Sequence, residues 1–556
     1  MKPLAFLALA AAILYSQQPA DSAKLADAEK NKEEIEQGTP ISSDLVRNAC
    51  GACHKSDDKL RMSRISYRRT TPEGWERTIK RMVSLNGVHL EPAQAREILK
   101  YLSNNLGLAP EEVKPGAFEV EQRMIEYKYA ADKDTETTCT KCHSFGRVLL
   151  QRRTKTEWEL LIAMHRGYYP LSDFQAFRRM NPIQTQPGPD GRPPDNRHPM
   201  EKAIAHLSTA FPLKTPEWSA WSANMRAPKL AGRWAVSGYQ PGMGPVYGVV
   251  EIKASPQAED EFTTRSHLIY ARTSQKLERA GKGLVYTGFE WRGRSGTEKE
   301  ATREVMFVDR NMREIAGRWY SGAYDEIGMD MKLQRIGNDP VVLGLDRIAL
   351  KTGAAGLPIN IHGVNLKPDA IDFGHGVKVA RVVSAAPDLI KVEVNVDKDA
   401  AVGARDVFVA GAVLPAGAVV YDKIDSIKVT PQAGMARIGG INFPKQYQQF
   451  EAIAYSNGPD SKPDTKDDLN LGPVDVAWSI EEYTATFGDD DKDYVGTLDD
   501  NGLFTPNVDG PNPKRHNHAD NYGDVWVVAT YSKEGRPIRG RAHLLVTVPL
   551  YMRWGR

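Results

Sequence analysis

The sequence predicts a multidomain protein in which an α-helical N-terminal domain is followed by an antiparallel β-barrel and two immunoglobulin-like β-sandwiches. The chain has 556 residues, more than the roughly 250–300 residues to which a single hydrophobic core grows. Apolar residues recur at helical spacing up to about residue 225, and short alternating segments with Gly and Pro turns follow from residue 226. The composition, 41% hydrophobic and 26% charged, is that of an ordinary globular protein.

The charge balance argues against a nucleic-acid-binding protein. Lys and Arg number 73 and Asp and Glu number 71, so the net charge is 73 − 71 = +2. A protein that binds nucleic acid or an anionic membrane surface through its charge needs a clear excess of basic residues. We therefore expect no nucleic-acid partner.

The N-terminus has the layout of a secretory signal peptide. Lys2 precedes a twelve-residue apolar run from Leu4 to Tyr15, and small residues follow at Ala20 and Ala23. The run is shorter than the roughly 20 residues that span a bilayer. An uncleaved membrane anchor is the alternative. We expect residues 1–23 to be removed, leaving a periplasmic protein without a membrane span.

All four cysteines of the chain lie in two C-x-x-C-H motifs, Cys50–His54 and Cys139–His143. This motif is typical of covalent c-type haem attachment, in which the two thiols bind the haem and the adjacent histidine binds the iron. A disulfide within each motif, or a Cys/His zinc site, is the alternative. A zinc site needs four ligands, and the motifs start 139 − 50 = 89 residues apart. The sequence therefore predicts two haems, held covalently by Cys50 and Cys53 and by Cys139 and Cys142, with His54 and His143 as proximal ligands.

Each motif is followed by a similar amphipathic helix, so the region contains an internal repeat. One helix opens at Thr71-Pro72 and carries Trp75, and the other opens at Thr154-Lys155 and carries Trp158. Met82 and His165 each lie seven residues, about two helical turns, after their Trp. If that face packs on the haem, Met82 and His165 are the distal iron ligands.

Several residues compete with Met82 and His165 for these roles. Met82 has the alternative of being an ordinary core methionine. The other candidate ligands are Met62, His89, Met164 and His206. Met164 points off the helical face, and Asn86-Gly87 is expected to end the helix before His89. The segment from Asn181 to Met200, rich in Pro and Gly, is expected to be a long loop that covers the second haem, meets a partner or is disordered.

The remainder of the chain, residues 226–556, is predicted to be rich in β-structure. The tetrapeptide Ala-Gly-Arg-Trp occurs at 231–234 and at 316–319 within short alternating segments, which favours a closed barrel with a filled core or a pocket. Further strands are predicted at Ile359–Val364, Val377–Val383, Ile390–Val396 and Val407–Val413. The expected boundaries are 1–23 for the signal peptide, 24–225 for the di-haem cytochrome c domain, 226–338 for the barrel, 339–425 for the first sandwich and 426–556 for the second.

The chain resembles the α subunit of quinohemoprotein amine dehydrogenase over its full length after the signal peptide. The stretches that carry the resemblance are the two C-x-x-C-H motifs, the two Ala-Gly-Arg-Trp segments, Met435–Gly440, Gly502–Pro506 and Asp509–Pro513. The C-x-x-C-H motif alone occurs in many cytochromes, and the order of the domains narrows the resemblance to this family.

The resemblance implies an oxidoreductase complex that deaminates primary amines to aldehyde and ammonia. It implies a heterotrimer in which a small subunit carries the cysteine tryptophylquinone and the catalytic base, and another subunit is a β-propeller. No catalytic residue is then expected in this chain. Electrons would pass from the quinone through the two haems to a soluble acceptor, an azurin-like copper protein or a cytochrome c.

The haem motifs favour an electron carrier even without the resemblance. An iron with two protein ligands has no open position for a substrate. Met/His ligation raises the potential relative to bis-His ligation, so we expect the Cys139 haem to lie on the quinone side and the Cys50 haem to be the exit. A di-haem peroxidase-like enzyme and a free-standing di-haem carrier or binding protein are the other classes considered.

Overall fold

The computed structural model describes residues 36–125, 127–177, 183–187, 191, 193–298, 300–484, 490–533 and 535–549. The predicted signal peptide, residues 1–23, lies outside these ranges, as do residues 181, 182, 188–190 and 192 of the loop predicted at 181–200. The chain divides between Met225 and Arg226 into two compact units. Within the described ranges, none of the helices combines the length and apolar character needed to cross a membrane.

The described part of the first unit is helical apart from one short two-stranded ribbon. Its helices are α1 (Asp44–Cys50), α2 (Pro72–Asn86), α3 (Pro92–Asn105), α4 (Pro110–Val113), α5 (Ala117–Val120), α6 (Lys133–Cys139), α7 (Gly146–Leu149), α8 (Lys155–Tyr168), α9 (Ser172–Gln175), α10 (Pro199–Ala210) and α11 (Pro216–Ala223), with a 3-10 turn at Lys114–Gly116. The ribbon pairs β1 (Arg68–Thr70) with β2 (Gln151–Arg153) antiparallel.

The internal repeat is confirmed in the helices. Thr71 caps α2 by accepting a hydrogen bond from the Gly74 amide, and Thr154 caps α8 in the same way. Trp75 and Trp158 are both 1% exposed. Their indole N–H groups donate to the carbonyl oxygens of Leu106 at 3.0 Å and Phe211 at 3.3 Å, the residues that end α3 and α10. Each copy therefore fixes its second helix to its first through a buried tryptophan.

Each copy of the repeat also has its own hydrophobic core. The core around Trp75 contains Ile41, Val46, Met62, Ile65, Ile98, Leu102 and Leu106. The core around Trp158 contains Phe145, Val148, Leu149, Leu207 and Phe211. Arg69 and Arg152 each lie two residues before the capping threonine of their copy, so they are equivalent in the repeat. They are also partners across the ribbon, which therefore joins the two copies at equivalent residues.

The second unit begins with a closed eight-stranded antiparallel barrel, as predicted. Its strands are β3 (Gly232–Gln240), β4 (Gly244–Ala254), β5 (Glu261–Tyr270), β6 (Lys276–Tyr286), β7 (Glu290–Ser295), β8 (Thr302–Val308), β9 (Glu314–Ser321) and β10 (Ile327–Arg335). Each strand pairs with the next, and β10 pairs with β3 to close the barrel. The tryptophans of the repeated tetrapeptide, Trp234 and Trp319, lie on the two neighbours of β10 and are buried.

The barrel buries the carboxyl groups of Glu290 and Glu304. Glu304 is 2% exposed, and its Oε2 accepts a hydrogen bond from the Trp291 indole at 2.9 Å. Among the described residues its Oε1 has no partner. Burial raises the pKa of Glu304 to about 7, because the charged form is poorly solvated there.

This carboxyl group makes the stability of the second unit depend on pH. The folded state binds the Glu304 proton more tightly than the unfolded state. The free-energy cost of burying the charged carboxylate is therefore absent below the unfolded pKa and grows as the pH rises toward and past 7. A shift from 4.5 to about 7 corresponds to about 3 kcal/mol at 1.36 kcal/mol for each pKa unit. Glu304→Gln should therefore stabilise the protein by up to this amount at pH 8 and leave it unchanged at pH 4.

Urea unfolding followed by tryptophan fluorescence at both pH values tests this expectation. Glu261→Gln, on the exposed face of β5, is the matched control and should have little effect at either pH. Equal stability of the wild type and Glu304→Gln at pH 8 would mean that the buried carboxyl group carries no such penalty.

A two-sheet sandwich follows the barrel. One sheet has the order β11 (Val341–Leu345), β13 (Leu357–Val364), β15 (Leu389–Val396) and β14 (Val377–Ala386), and the other has β12 (Ala349–Lys351), β17 (Ala412–Tyr421) and β16 (Gly403–Val409). The strand predicted at Val407–Val413 is wrong. Ala410 (φ 49°) and Gly411 (φ 87°) turn the chain there, and the apolar residues on both sides of the turn belong to two strands of a hairpin.

The last part of the chain forms three small sheets around a second β-core. Their orders are β18 (Ser426–Thr430), β21 (Glu451–Ser456) and β22 (Leu469–Pro473); β19 (Ala433–Arg437), β27 (Ile538–Thr547), β26 (Gly523–Tyr531) and β23 (Ala477–Glu482); and β20 (Gln448–Gln449), β25 (Leu503–Pro506) and β24 (Gly496–Leu498). A short helix, α12 (Asp491–Tyr494), packs on β26 and β23. Asp490 and Asp491 both bind the Arg515 guanidinium.

Candidate haem-binding site

The two cysteine motifs sit at the ends of matching seven-residue helices. Ser43 caps α1 and Asp132 caps α6, and each helix ends at the first cysteine of its motif. Cys50 and Cys139 are half-buried, whereas Cys53 and Cys142 are exposed, and none of the four forms a disulfide. The described residues give no support to a disulfide in either motif or to a clustered zinc site. Both motifs therefore present one inner and one outer thiol in the same local fold.

The three histidines predicted to bind iron are oriented in the same way. The Nδ1 atoms of His54, His143 and His165 lie 2.9 Å, 2.8 Å and 2.8 Å from the carbonyl oxygens of Ser63, Ser144 and Leu161. A histidine that binds a metal commonly donates its second N–H to a backbone carbonyl in this way. Within the described part of the chain, Nε2 of each histidine forms no hydrogen bond and is available for a metal.

The separation of the His143 and His165 rings fits one metal ion between them. Their ring centroids are 6.5 Å apart. A ring nitrogen binds a metal at roughly 2 Å, and the ring centre lies about 1 Å behind the nitrogen, so two imidazoles on opposite sides of one metal have centroids about 6 Å apart. The structure thus brings together the two residues predicted as the proximal and distal ligands of the second haem, and the donor set fits a haem iron.

The electrostatics keep both imidazoles in the form that binds a metal. Burial, with smaller contributions from the charges of Arg147 and His165 and against the hydrogen bond to Ser144, lowers the pKa of His143 to about 4. Burial is also the main reason why the pKa of His165 is lowered. Both rings are therefore neutral at neutral pH, and only the neutral imidazole offers a lone pair to a metal.

The competitors of His165 have other partners or lie elsewhere. The Nε2 of His206 lies 2.8 Å from the Tyr129 hydroxyl, so this nitrogen already has a hydrogen-bond partner. His89 is exposed and follows Gly87 (φ 68°), which ends α2 as expected. The Met164 sulfur accepts a hydrogen bond from Arg81 at 3.4 Å. These contacts favour His165, whose role as a ligand remains a prediction.

Met82 lies on α2, two turns after Trp75, and is half-buried. Its competitor Met62 is 0% exposed and is enclosed by the core around Trp75. A side chain packed on all sides by protein has no free surface for a ligand, so the burial favours Met82. No contact between Met82 and His54 is observed, and ligation by Met82 remains a prediction.

The sequence did not predict a buried charged layer between the two copies of the repeat. Arg69, which is 1% exposed, donates from both terminal nitrogens to Glu112, at 2.9 Å and 3.0 Å. Arg152 lies 3.0 Å from the same carboxylate, and the Thr215 hydroxyl donates to it at 2.9 Å. Arginines in three-residue strands are normally expected at the surface. The one feature of the sequence that could have indicated this buried layer is that Arg69 and Arg152 occupy equivalent positions in the repeat.

Four family models match the chain in consecutive segments. Residues 41–182 match "quinohemoprotein amine dehydrogenase A, alpha subunit, haem binding". Residues 227–336, 340–422 and 427–555 match domains II, III and IV of the quinohemoprotein amine dehydrogenase alpha subunit. These matches follow the order of the helical unit, the barrel and the two further β-domains.

Other comparisons contribute little. No curated protein matches the chain. Among solved structures, a redesigned beta barrel is similar at 14% identity and a TM-score of 0.18, covering 20% of this chain and 98% of that chain. Protocadherin gamma C5 EC1-3 is similar at 11% identity and a TM-score of 0.16, covering 45% and 88%. These scores carry no argument, whereas the four family models match nearly the whole described chain. The chain belongs to the family of quinohemoprotein amine dehydrogenase alpha subunits.

Proposed function

We propose that this chain is the electron-transfer subunit of a periplasmic amine dehydrogenase complex. The complex oxidatively deaminates primary amines to aldehyde and ammonia, and the chain carries the electrons from a quinone cofactor on another subunit to a soluble acceptor. The observation that carries the proposal is the pair His143 and His165, whose ring centroids lie 6.5 Å apart and whose Nδ1 atoms are both held by backbone carbonyls. Two protein ligands leave no position for a substrate, which favours electron transfer over catalysis at this site.

The residues of the two motifs would hold two covalent haems. Cys50 and Cys53 would bind one haem, with His54 as the proximal ligand and Met82 as the distal ligand. Cys139 and Cys142 would bind the other, between His143 and His165. A bound haem supplies a one-electron carrier whose potential depends on its axial ligands. The chain itself fixes the imidazole orientations through backbone carbonyls and keeps both rings of the second site neutral.

Two one-electron sites match the chemistry of the reaction. Oxidation of a primary amine to an aldehyde consumes one water and releases ammonia, two electrons and two protons. Two carrier sites in one unit can accept both electrons one after the other. We assign the lower potential to the site with two histidines, because Met/His ligation raises the potential of the other. The Cys139 site then faces the quinone, and the Cys50 site is the exit.

The proposed partners follow from the family. An alpha subunit belongs to a complex of several subunits. We propose a heterotrimer with a β-propeller subunit and a small subunit that carries cysteine tryptophylquinone, and an azurin-like copper protein or cytochrome c as acceptor. We place the complex in the periplasm because c-type haem is attached outside the bacterial plasma membrane.

Addition of a primary amine to the native complex under anaerobic conditions tests the proposal. We expect a small subunit that is positive in a quinone redox stain, and reduction of both haems of this chain when the amine is added. A tertiary amine, which cannot form the same imine with a quinone, is the matched control and should reduce neither. A di-haem chain that purifies without a quinone subunit would leave a free-standing carrier or binding protein. A high-spin haem that reacts with peroxide would indicate the peroxidase-like class.

A further inference from the structure

Four arginines gather between α2 and α8, beside the proposed second haem site. We call Arg64, Arg68, Arg81 and Arg153 the arginine cluster. Arg68 and Arg153 are partners at one end of the β1–β2 ribbon. Arg81 projects from α2, and its guanidinium lies 3.4 Å from the Met164 sulfur and 5.8 Å from the Tyr168 ring, both on α8. The cluster thus draws on both copies of the repeat.

The cluster has more positive than negative charge. Glu157 lies 3.0 Å from Arg64 and 3.6 Å from Arg153. No other carboxylate among the described residues forms an ion pair with any of the four, so the formal charge is 4 − 1 = +3. Burial, together with repulsion from Arg153 and Arg81, lowers the pKa of Arg68, yet a guanidinium stays protonated in proteins. The cluster therefore has one counter-ion for four positive charges.

One donor of the cluster is buried without a partner. The Nε of Arg68 is enclosed and forms no hydrogen bond within the described part of the chain. Its guanidinium lies 4.6 Å from the Trp75 ring, which offers a favourable face but no acceptor. Unsatisfied buried donors are rare and require an explanation, such as a bound group that accepts the hydrogen bond.

Elsewhere in the ribbon, the chain places a carboxylate beside its buried arginines. Arg69 and Arg152 share the carboxylate of Glu112. The end of the ribbon opposite the cluster carries Thr70 and Gln151, which are uncharged. The unbalanced charge is therefore confined to one end of the ribbon.

The cluster lies against α8, the helix that carries the proposed ligand His165, because Arg81 contacts Met164 and Tyr168 on that helix. A haem carries two carboxylate side chains, and arginine binds carboxylates through parallel hydrogen bonds. The location, the missing negative charge and the unpaired donor all fit those carboxylates.

We propose that Arg68, Arg81 and Arg153 bind the carboxylate side chains of the haem attached to Cys139 and Cys142. The inference rests on the proposed function, since it requires a haem at that site. In this inference the three arginines position that haem and help to set its reduction potential. Positive charge near the iron disfavours the oxidised state, which carries one more positive charge, so its removal should lower the potential.

Potentiometric titration of the native complex carrying Arg81→Gln tests the inference, with each haem followed by its own electron paramagnetic resonance signal. We expect the one-electron equilibrium of the Cys139 haem to shift about tenfold toward the oxidised state, or about 59 mV, and that of the Cys50 haem to shift less. Arg81→Lys, which keeps the charge, should recover most of the shift. Arg68→Gln should act in the same direction and serves as the second variant if Arg81→Gln does not fold.

Arg166→Gln is the matched control, because Arg166 follows His165 on α8 but is half exposed and paired with Asp173 at 2.9 Å. A shift no larger than that of the control, or an equal shift of both haems, would overturn the inference while leaving the proposed function intact. Absence of haem from the wild-type chain would instead remove the proposed function and the inference with it.

Discussion

Replacement of Glu112 by alanine is expected to destabilise the helical unit by roughly 3–5 kcal/mol. Its carboxylate is 4% exposed and binds two buried arginines, Arg69 and Arg152. Burial alone would raise the pKa of Glu112, but the hydrogen bond from Arg69 and the charges of both arginines lower it overall. Removal of the carboxylate leaves both guanidinium groups buried without a counter-ion. Chemical denaturation followed by helical circular dichroism measures the loss.

Glu111→Ala is the matched control for this substitution. Glu111 is the preceding residue of α4 and is exposed, so its removal should change the stability by less than about 0.5 kcal/mol. Because the pKa of Glu112 is lower in the folded state, its contribution is fully present above the unfolded pKa and is lost as the pH falls through the folded pKa. A loss below about 1 kcal/mol at pH 7 would show that the arginines find other partners.

Replacement of His165 by alanine should convert one haem of the pair to a high-spin, ligand-accessible form. The reason is that, among the described histidines, His165 is the one whose ring lies 6.5 Å from the His143 ring, and its Nδ1 is already held by the Leu161 carbonyl. About half of the low-spin haem signal should disappear, and added imidazole should restore it. His206→Ala is the matched control, since the Nε2 of His206 is hydrogen-bonded to the Tyr129 hydroxyl.

The potentials provide an independent check on the same ligand assignment. His165→Met should raise the lower-potential couple, and Met82→His should lower only the higher-potential couple. Persistence of the full low-spin signal in His165→Ala, with its loss in His206→Ala, would transfer the distal role to His206. An effect of Met82→His on the lower-potential couple alone would reverse the order of the two haems.

Local rules were sufficient to predict the helices that position the site. The caps at Thr71 and Thr154, the buried Trp75 and Trp158, and the end of α2 at Gly87 all depend on residues within a few positions of one another. Capping, helical periodicity and glycine in the left-handed conformation are properties of short segments. The repeat then placed both helices relative to their motifs.

The contacts between the two copies could not be predicted in this way. Arg69 meets Glu112 and Thr215, which are 43 and 146 residues further along the chain. Nothing near Arg69 in the sequence indicates that these partners will bury it, because pairing over such distances depends on how the copies pack. The arginine cluster beside His165 was missed for the same reason.

The strand predicted at Val407–Val413 failed for a different reason. The apolar residues run through the turn at Ala410 and Gly411, so periodicity alone gives no break. Both turn residues have positive φ, as a two-residue hairpin turn of this kind requires. Ala is uncommon in that conformation, so its identity did not indicate a turn.

The intact mass of the mature chain, purified from the native host under denaturing conditions, tests the central claim most directly. If both motifs hold haem covalently, the mass should exceed that of the polypeptide by two haems. Cys139→Ala together with Cys142→Ala should then remove one haem and leave the other. A native chain without a covalent haem would contradict the proposed electron-transfer role, and a single haem would contradict the assignment of Cys139–His143 and His165 as a second site.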